Sequence, residues 1–188
     1  PRPLIQRYRG GRVSETLPSD LVLDLNKLAR DHHTTGFAAL VTCVCSVLSI
    51  YSGQRDISIG TSVAGRTRPE IETLVGFFVN AVVLRLDCSA GDSFVSRLSR
   101  AKEVVLSAFL HQETPFENVV AALNPERETN YNPLVKVFLV QQAFPTQNRV
   151  GELEVRGELL PVSVGTSKFD LTLFATPQQD GSLKLEAE

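Results

Sequence analysis

Apolar positions along the chain recur first at helical spacing. Leu21, Leu25 and Leu28 share one face of a segment that runs from Asp20, a residue suited to capping a helix, to about His32. Thr34-Thr35-Gly36 interrupts it. Residues 37–51 are apolar on nearly every side, which predicts a second helix buried in the core, with Gly53 placed to end it. The period then changes to two: Ile57, Ile59 and Val63 alternate over Asp56–Val63, a strand pattern. A polar loop, Ala64–Glu72, leads to a long apolar strand over Phe77–Leu86. After a turn at Ser89–Asp92, with Asp92 or Ser93 as cap, Phe94, Leu98, Ala101, Val105 and Ala108 return to the helical period as far as Leu110. Thr114-Pro115-Phe116-Glu117 has the form of a capping box with proline at the first helical position, opening a helix to about Leu123. Strands are expected over Leu134–Gln142, Val150–Val155, Phe169–Ala175 and Leu183–Leu185, the last two joined by a hairpin turn at Asp180-Gly181. Residues 1–18, basic and rich in Pro and Gly, read as a strand-poor lead-in. Helices and strands mix without strict alternation, so the pattern predicts one α/β or α+β domain.

Composition narrows the function classes. With 43% hydrophobic and 21% charged residues in 188, wholesale disorder is excluded. Lys+Arg is 19 and Asp+Glu is 21, for a formal charge of -2, without the basic excess of a nucleic-acid binder. The three cysteines, Cys43, Cys45 and Cys88, cannot all pair within one chain and form no Cys-x-x-Cys, so reduced thiols in a cytoplasmic protein are expected. The histidines stand at no ligand spacing to them, and no metal site is expected. The most apolar run, Phe37–Tyr51, falls short of the ~20 residues that span a bilayer and is broken by Thr42, Ser46 and Ser49. No signal peptide precedes it, and no membrane association is expected. The chain begins at Pro1 and reads as a piece of a longer polypeptide.

A few residues invite a chemical reading. His32-His33 has no carboxylate at short spacing to orient a general base, and reads as a polar helix C-terminus, where imidazole suits the dipole. His111, before the capping box, is either a base or part of a helix–helix corner. Asn80 shares a strand face with Phe78, Val82, Leu84 and Leu86, so its amide must find partners. It is either a structural amide bonded to a neighbouring loop or an amide lining a pocket at a strand end; Gln142, closing its own strand, poses the same question. Arg66, directly after a strand, either binds an anion or pairs with Glu70 or Glu72 to hold its loop shut.

Taken in order, these segments resemble the condensation domains of non-ribosomal peptide synthetases. Ile59-Gly60-Thr61-Ser62-Val63-Ala64-Gly65-Arg66, Glu70, Leu74-Val75-Gly76-Phe77-Phe78-Val79-Asn80 and Arg85 resemble one family signature. His111-Gln112-Glu113-Thr114-Pro115-Phe116-Glu117 resembles a second, His-Gln-Asp-x-Pro-Phe-Glu. Arg127 to Leu134, including Asn132 and Pro133, resembles a third, Arg-Asp-x-Ser-Arg-Asn-Pro-Leu, with Gln142 at the glutamine that ends the next strand. Tyr51–Asp56 and Lys168–Leu171 also match. Ser62 stands where the family has Pro, Ala81 where it has Thr, and Asn130 and Tyr131 where it has Ser and Arg. The family's His-His-x-x-x-Asp-Gly does not occur: His32-His33 is followed by Phe37 and Ala38 at the Asp and Gly positions.

The resemblance implies a chloramphenicol acetyltransferase-like fold, an α+β two-layer sandwich with a mixed sheet packed by helices. It implies that residues 1–188 are the C-terminal lobe of a condensation domain, with the catalytic histidine in an N-terminal lobe and no catalytic residue in this chain. The implied reaction joins a donor acyl or peptidyl thioester to an acceptor aminoacyl thioester as an amide. No cofactor is expected to bind directly, since phosphopantetheine is carried by the partner proteins. The implied partners are the N-terminal lobe, peptidyl and aminoacyl carrier proteins and an adjacent adenylation domain, with self-association of the fragment. Asn80 and Gln142 are the implied site-lining residues. Gly60, Gly65, Arg66, Gly76, Arg85, His111, Gln112, Pro115, Phe116, Glu117, Asn132 and Pro133 are implied motif residues of structural weight. Gly65–Val79 resembles the family's floor loop and Lys168–Glu188 its latch, both expected to cross to the other lobe. A stand-alone acyltransferase borrowing a histidine from another protomer, and a non-catalytic module that docks carrier proteins, are the alternatives.

Overall fold

The computed structural model describes residues 6–125, 132–142, 148–150, 153–155, 162 and 165–188. In chain order these form β1 (Val13–Leu17), α1 (Ser19–Asp31), α2 (Gly36–Ser52), β2 (Asp56–Val63), α3 (Pro69–Glu72), β3 (Asn80–Asp87), α4 (Phe94–Leu110), α5 (Phe116–Leu123), β4 (Val137–Gln141), β5 (Asn148–Val150), β6 (Leu153–Val155), β7 (Leu171–Pro177) and β8 (Leu183–Ala187). A mixed sheet runs in the order β1-β8-β7-β4-β2-β3, and β5 and β6 form a separate antiparallel pair. Within the large sheet β2, β4 and β7 are parallel neighbours, while β3, β8 and β1 are antiparallel additions.

One face of the sheet carries the core. Ile57 and Ile59 of β2, Leu84 and Leu86 of β3, Leu139 of β4 and Ala175 of β7 meet Ala38, Val41 and Cys45 of α2 and Ala101 and Val105 of α4. This is an α/β architecture of sheet and helices in two layers. A satellite cluster, Ala29, Ala39 and Leu98, seals α1 onto α2 and α4. On the opposite face Phe138 stacks on Phe169 with ring centroids 4.6 Å apart. Gly60 of β2 lies under that stack. A Cβ there would stand 2.5 Å from the Phe138 ring and 2.7 Å from Val135 Cγ1. The parallel β2–β4 pairing, in which Gly60 faces Phe138, needs the bare backbone.

Several boundaries differ from the sequence expectation. The lead-in holds a strand: β1 pairs with β8, and Arg12 closes the edge with a 2.8 Å ion pair to Glu188. Its residues are mostly exposed, so β1 lacks the apolar alternation that would have announced it. Asp20 does not cap α1. The Pro18 carbonyl opens the ladder by accepting from Val22 N–H, and Asp20 sits in the first turn. α2 ends as expected at Gly53, with φ 70, and begins at a cap the pattern did not announce, Thr35 accepting from Ala38 N–H; it is buried only along its first part. Val47, Ile50 and Tyr51 are exposed, at 88% for Tyr51. The apolar strand begins at Asn80 rather than Phe77, because β2 ends at Val63 opposite Asn80 and leaves Phe77–Val79 nothing to pair with. β4 starts at Val137 because Leu134 takes φ 64 in a tight turn where Val135 N–H donates to the Pro133 carbonyl. Val150–Val155 is two strands, not one. Lys168–Glu188 supplies two strands of the large sheet: β7 lies between β4 and β8, and β8 is covered by β1.

Gly60→Ala is expected to lower the unfolding free energy by about 1–3 kcal/mol, the cost of overpacking a filled site. Denaturant titration checks it; an unchanged midpoint would mean the Phe138–Phe169 stack yields freely.

Candidate functional site

The amide of Asn80, at the first position of β3, holds three backbone groups. Its Nδ2 donates to the carbonyls of Thr114 at 2.7 Å and Gln112 at 2.9 Å, and its Oδ1 accepts from Phe116 N–H at 3.2 Å. The cap of α5 therefore comes from a strand in another part of the chain. Pro115 precedes the helix instead of occupying its first turn, and no side chain at that position makes the cap. The expected local capping box at Thr114 is replaced by a tertiary one. His111 ends α4, with Nδ1 2.9 Å from the Ser107 carbonyl, and Gln112 Nε2 donates to the Phe109 carbonyl at 2.9 Å. These interactions fix the α4–α5 corner against the start of β3.

The loop before β3 is tied to the same corner. Gly65, at φ 65, brings its backbone so close to Phe78 that a Cβ would fall 1.9 Å from the Phe78 carbonyl oxygen. Arg66 lies over the Phe78 ring, 4.4 Å from its centroid, and donates to the carbonyls of Ile71 and Glu72. It holds the loop shut, but through backbone carbonyls rather than the Glu70 or Glu72 carboxylates. Thr67 donates to Glu113 Oε1 at 2.6 Å. Gly76 packs against the Phe78 ring. Beyond this framework the loop is apolar and open: Phe77 is 91% exposed.

A cavity of about 1010 Å³ opens here. It is lined by Ser62 and Gly65, by Phe77, Phe78 and Asn80, by Gln112, Pro115, Phe116 and Glu117, by Asn132 and Pro133, and by Lys168 and Phe169. Asn132 joins the two rims by donating to the Lys168 carbonyl at 2.6 Å. Arg85 stands apart, on the exposed face of β3, in a bidentate pair with Asp56 that holds the Asp56 carboxyl below its ordinary range. Gln142 N–H donates to the Ala175 carbonyl at 2.8 Å, and its side-chain oxygen faces the Thr176 hydroxyl at 3.5 Å. Its neighbour Gln141 instead lines a second cavity, between α2, α4 and the ends of β2 and β4, which no sequence pattern announced. Of the third signature, residues 126–131 lie outside the described residues.

The family model of the condensation domain matches residues 1–188, the whole of the chain. The chain belongs to the condensation domain family. It is 37% identical over 184 residues to a linear gramicidin synthase of Brevibacillus parabrevis, covering 97% of this chain and 4% of that protein. It is 38% identical over 183 residues to a phosphinothricin tripeptide synthetase of Streptomyces viridochromogenes, covering 96% of this chain and 15% of the relative. The chain thus spans a small part of the curated proteins it matches. In fold it is similar to a four-domain non-ribosomal peptide synthetase bound to AMP and glycine, with TM-score 0.88 and 24% identity over 100% of this chain and 15% of that one. It is also similar to the X-domain from teicoplanin biosynthesis, with TM-score 0.84 and 21% identity over 100% of this chain and 43% of that one.

The thiols of this condensation-domain chain are unsuited to nucleophilic work. Burial, with Cys88 second, pushes Cys45 up to about 12, and burial also raises Cys43 and Cys88.

Two outcomes follow. Asn80→Ala strands two carbonyls and an N–H in the α4–α5 corner, and is expected to lower the unfolding free energy by about 1–3 kcal/mol; an unchanged denaturation midpoint would show the corner stands without the clasp. The Cys45 thiol keeps its proton in the fold to about 12 and loses it in the unfolded chain near 9.0. The folded state therefore binds more protons across that window, and stability is lost as pH rises through it. Melting curves from about pH 8 to 11 should fall less steeply for Cys45→Ala than for the parent, since only the parent carries this linkage; parallel slopes would contradict this.

Proposed function

We propose that the chain is the C-terminal lobe of a non-ribosomal peptide synthetase condensation domain and forms one wall of the site where an amide is made. The convergence of three separate sequence signatures on one cavity carries the reading. Ser62 to Asn80, Gln112 to Glu117 and Asn132-Pro133 are far apart in the chain and meet around the same space. In the proposed reaction the acceptor amine nitrogen attacks the carbonyl carbon of the donor thioester. A carbon–nitrogen bond forms, the carbon–sulfur bond breaks, the donor carrier's thiol is released and the amine gives up a proton. The described residues lining this cavity include no histidine, and the proton is assigned to a group of the N-terminal lobe.

The part of this chain is to shape and exclude. Asn80 holds the corner that carries Gln112, Pro115 and Phe116, so the cavity wall keeps one position while long thioester arms enter. Phe77, Phe78, Pro115, Phe116 and Phe138 give the cavity an apolar lining that keeps water from a thioester it would hydrolyse. The phosphopantetheine arms belong to the carrier proteins and arrive as part of the substrates. An adenylation domain is the neighbour proposed for the same polypeptide. A reducing cytoplasm suits three free thiols. Among the described residues no single helix is long and apolar enough to cross a membrane.

Two measurements test the reading. The polypeptide extended upstream by its own N-terminal lobe should join loaded carrier proteins, while residues 1–188 alone should give no amide product above a no-protein control. Turnover by residues 1–188 alone would overturn the division of labour. The exposed stretch holding Val75 and Phe77 is proposed to be covered by the other lobe, so the isolated chain should associate in sedimentation experiments and Phe77→Ser should weaken that association. A strictly monomeric parent at high concentration would argue against it.

A further inference from the structure

The second cavity has a volume of about 550 Å³, within the range of small-molecule sites. It lies at the carboxyl ends of the parallel strands β2 and β4, the end where open α/β sheets take their ligands. Its walls are apolar. Phe37 of α2 and Phe109 of α4 stack with centroids 6.0 Å apart, and Val105 and Leu106 extend the same wall along α4. Ser62, near the end of β2, lines both this cavity and the larger one.

One polar residue in it is out of place. Thr61 of β2 is 2% exposed and lines this cavity, yet among the described residues its hydroxyl has no hydrogen-bond partner. Thr42, also deeply buried, is by contrast satisfied within its own helix by donating to the Ala38 carbonyl at 2.8 Å. The Thr61 hydroxyl is open to the cavity, since the sealed side-chain atoms without a partner among the described residues are Arg97 Nε and Arg100 Nε, and it is free to bond a group placed there. Lys102 of α4, half-buried at the same cavity and without an ion pair among the described residues, supplies a second donor.

We infer that this cavity receives the side chain of one of the two joined aminoacyl groups, and that it selects side chains with an apolar body and an oxygen at the tip. The inference rests on the proposed amide-forming reaction. The body lies against Phe37, Phe109, Val105 and Leu106, entering past Ser62 from the larger cavity. The tip oxygen accepts from the Thr61 hydroxyl or the Lys102 ammonium. Leu106, exposed at 50%, is the position from which the space can be filled without disturbing the core.

The test uses the whole synthetase module with loaded carrier proteins. Tyrosyl, phenylalanyl and glycyl groups compete first on the donor carrier and then on the acceptor carrier. The carrier on which the preference appears identifies which group enters. The parent should favour tyrosyl over phenylalanyl. Thr61→Val should reduce that ratio by about tenfold, the value of one hydrogen bond in a dry site. Thr61→Ser, which keeps the hydroxyl, should restore the ratio. Leu106→Trp should reduce the tyrosyl-to-glycyl ratio, again by about tenfold, the scale of a lost apolar contact. Melting curves confirm that each variant is folded. Ratios that stay at the parent value on both carriers overturn the inference and mean the hydroxyl meets only water. A parent that makes no amide from any pair overturns the proposed reaction instead. In that event binding of N-acetyltyrosinamide against N-acetylphenylalaninamide, followed by ligand NMR on the module and its Thr61→Val variant, still decides the cavity. Equal binding by parent and variant counts against it.

Discussion

A single carboxamide closes the α4–α5 corner. α4 ends at Leu110 and α5 begins at Phe116, and the turn between them presents two outward carbonyls and an N–H to the start of β3. Asn80 meets all three with one side chain. Few residues can do this, since the task needs two donors and an acceptor on one short planar group. Because Asn80 also opens the strand that follows the exposed loop, the same bonds fix where that loop leaves the sheet. The cavity wall, the loop and the second helical signature are thereby held in one frame.

The loop itself is built by close approach rather than by a core. Gly65 allows the backbone to touch Phe78, Arg66 covers the ring and ties the short α3, and Thr67 reaches Glu113. This framework is rigid on the side facing the chain and apolar on the side facing away, where Val75 and Phe77 stand nearly free. α2 repeats the contrast. Its first part is core, while Val47, Ile50 and Tyr51 form an outer stripe. Apolar surface of this extent on a folded unit marks faces that meet other protein.

The two cavities divide their chemistry. The larger is bounded by the signature residues and by aromatic rings, and Asn80, Gln112 and Asn132 among its polar groups hold its own walls. The smaller has apolar walls and polar groups left over, Thr61 and Lys102. Polar groups bonded within a wall maintain its shape, whereas those open to a cavity are free to meet a bound group.

Much of the fold was legible in the chain. Period-two alternation marked β2, helical spacing marked α4, and Ser93 and Gly53 marked helix ends where they were found. These signals are local: capping and periodicity depend on residues a turn or two apart. The ordered signatures marked the family for the same reason, since they can be read as strings. Tertiary structure decided what depended on distant partners. That Asn80 caps α5, that Phe77–Val79 stay out of the sheet, that β1 is a strand at all, and that Thr61 faces a cavity with no bond to make are facts about which segments meet. A side chain's hydrogen bonds across 32–36 residues, or a strand's pairing with the opposite end of the chain, leave no local pattern. Only the folded backbone brings those groups within the roughly 3 Å at which a hydrogen bond exists.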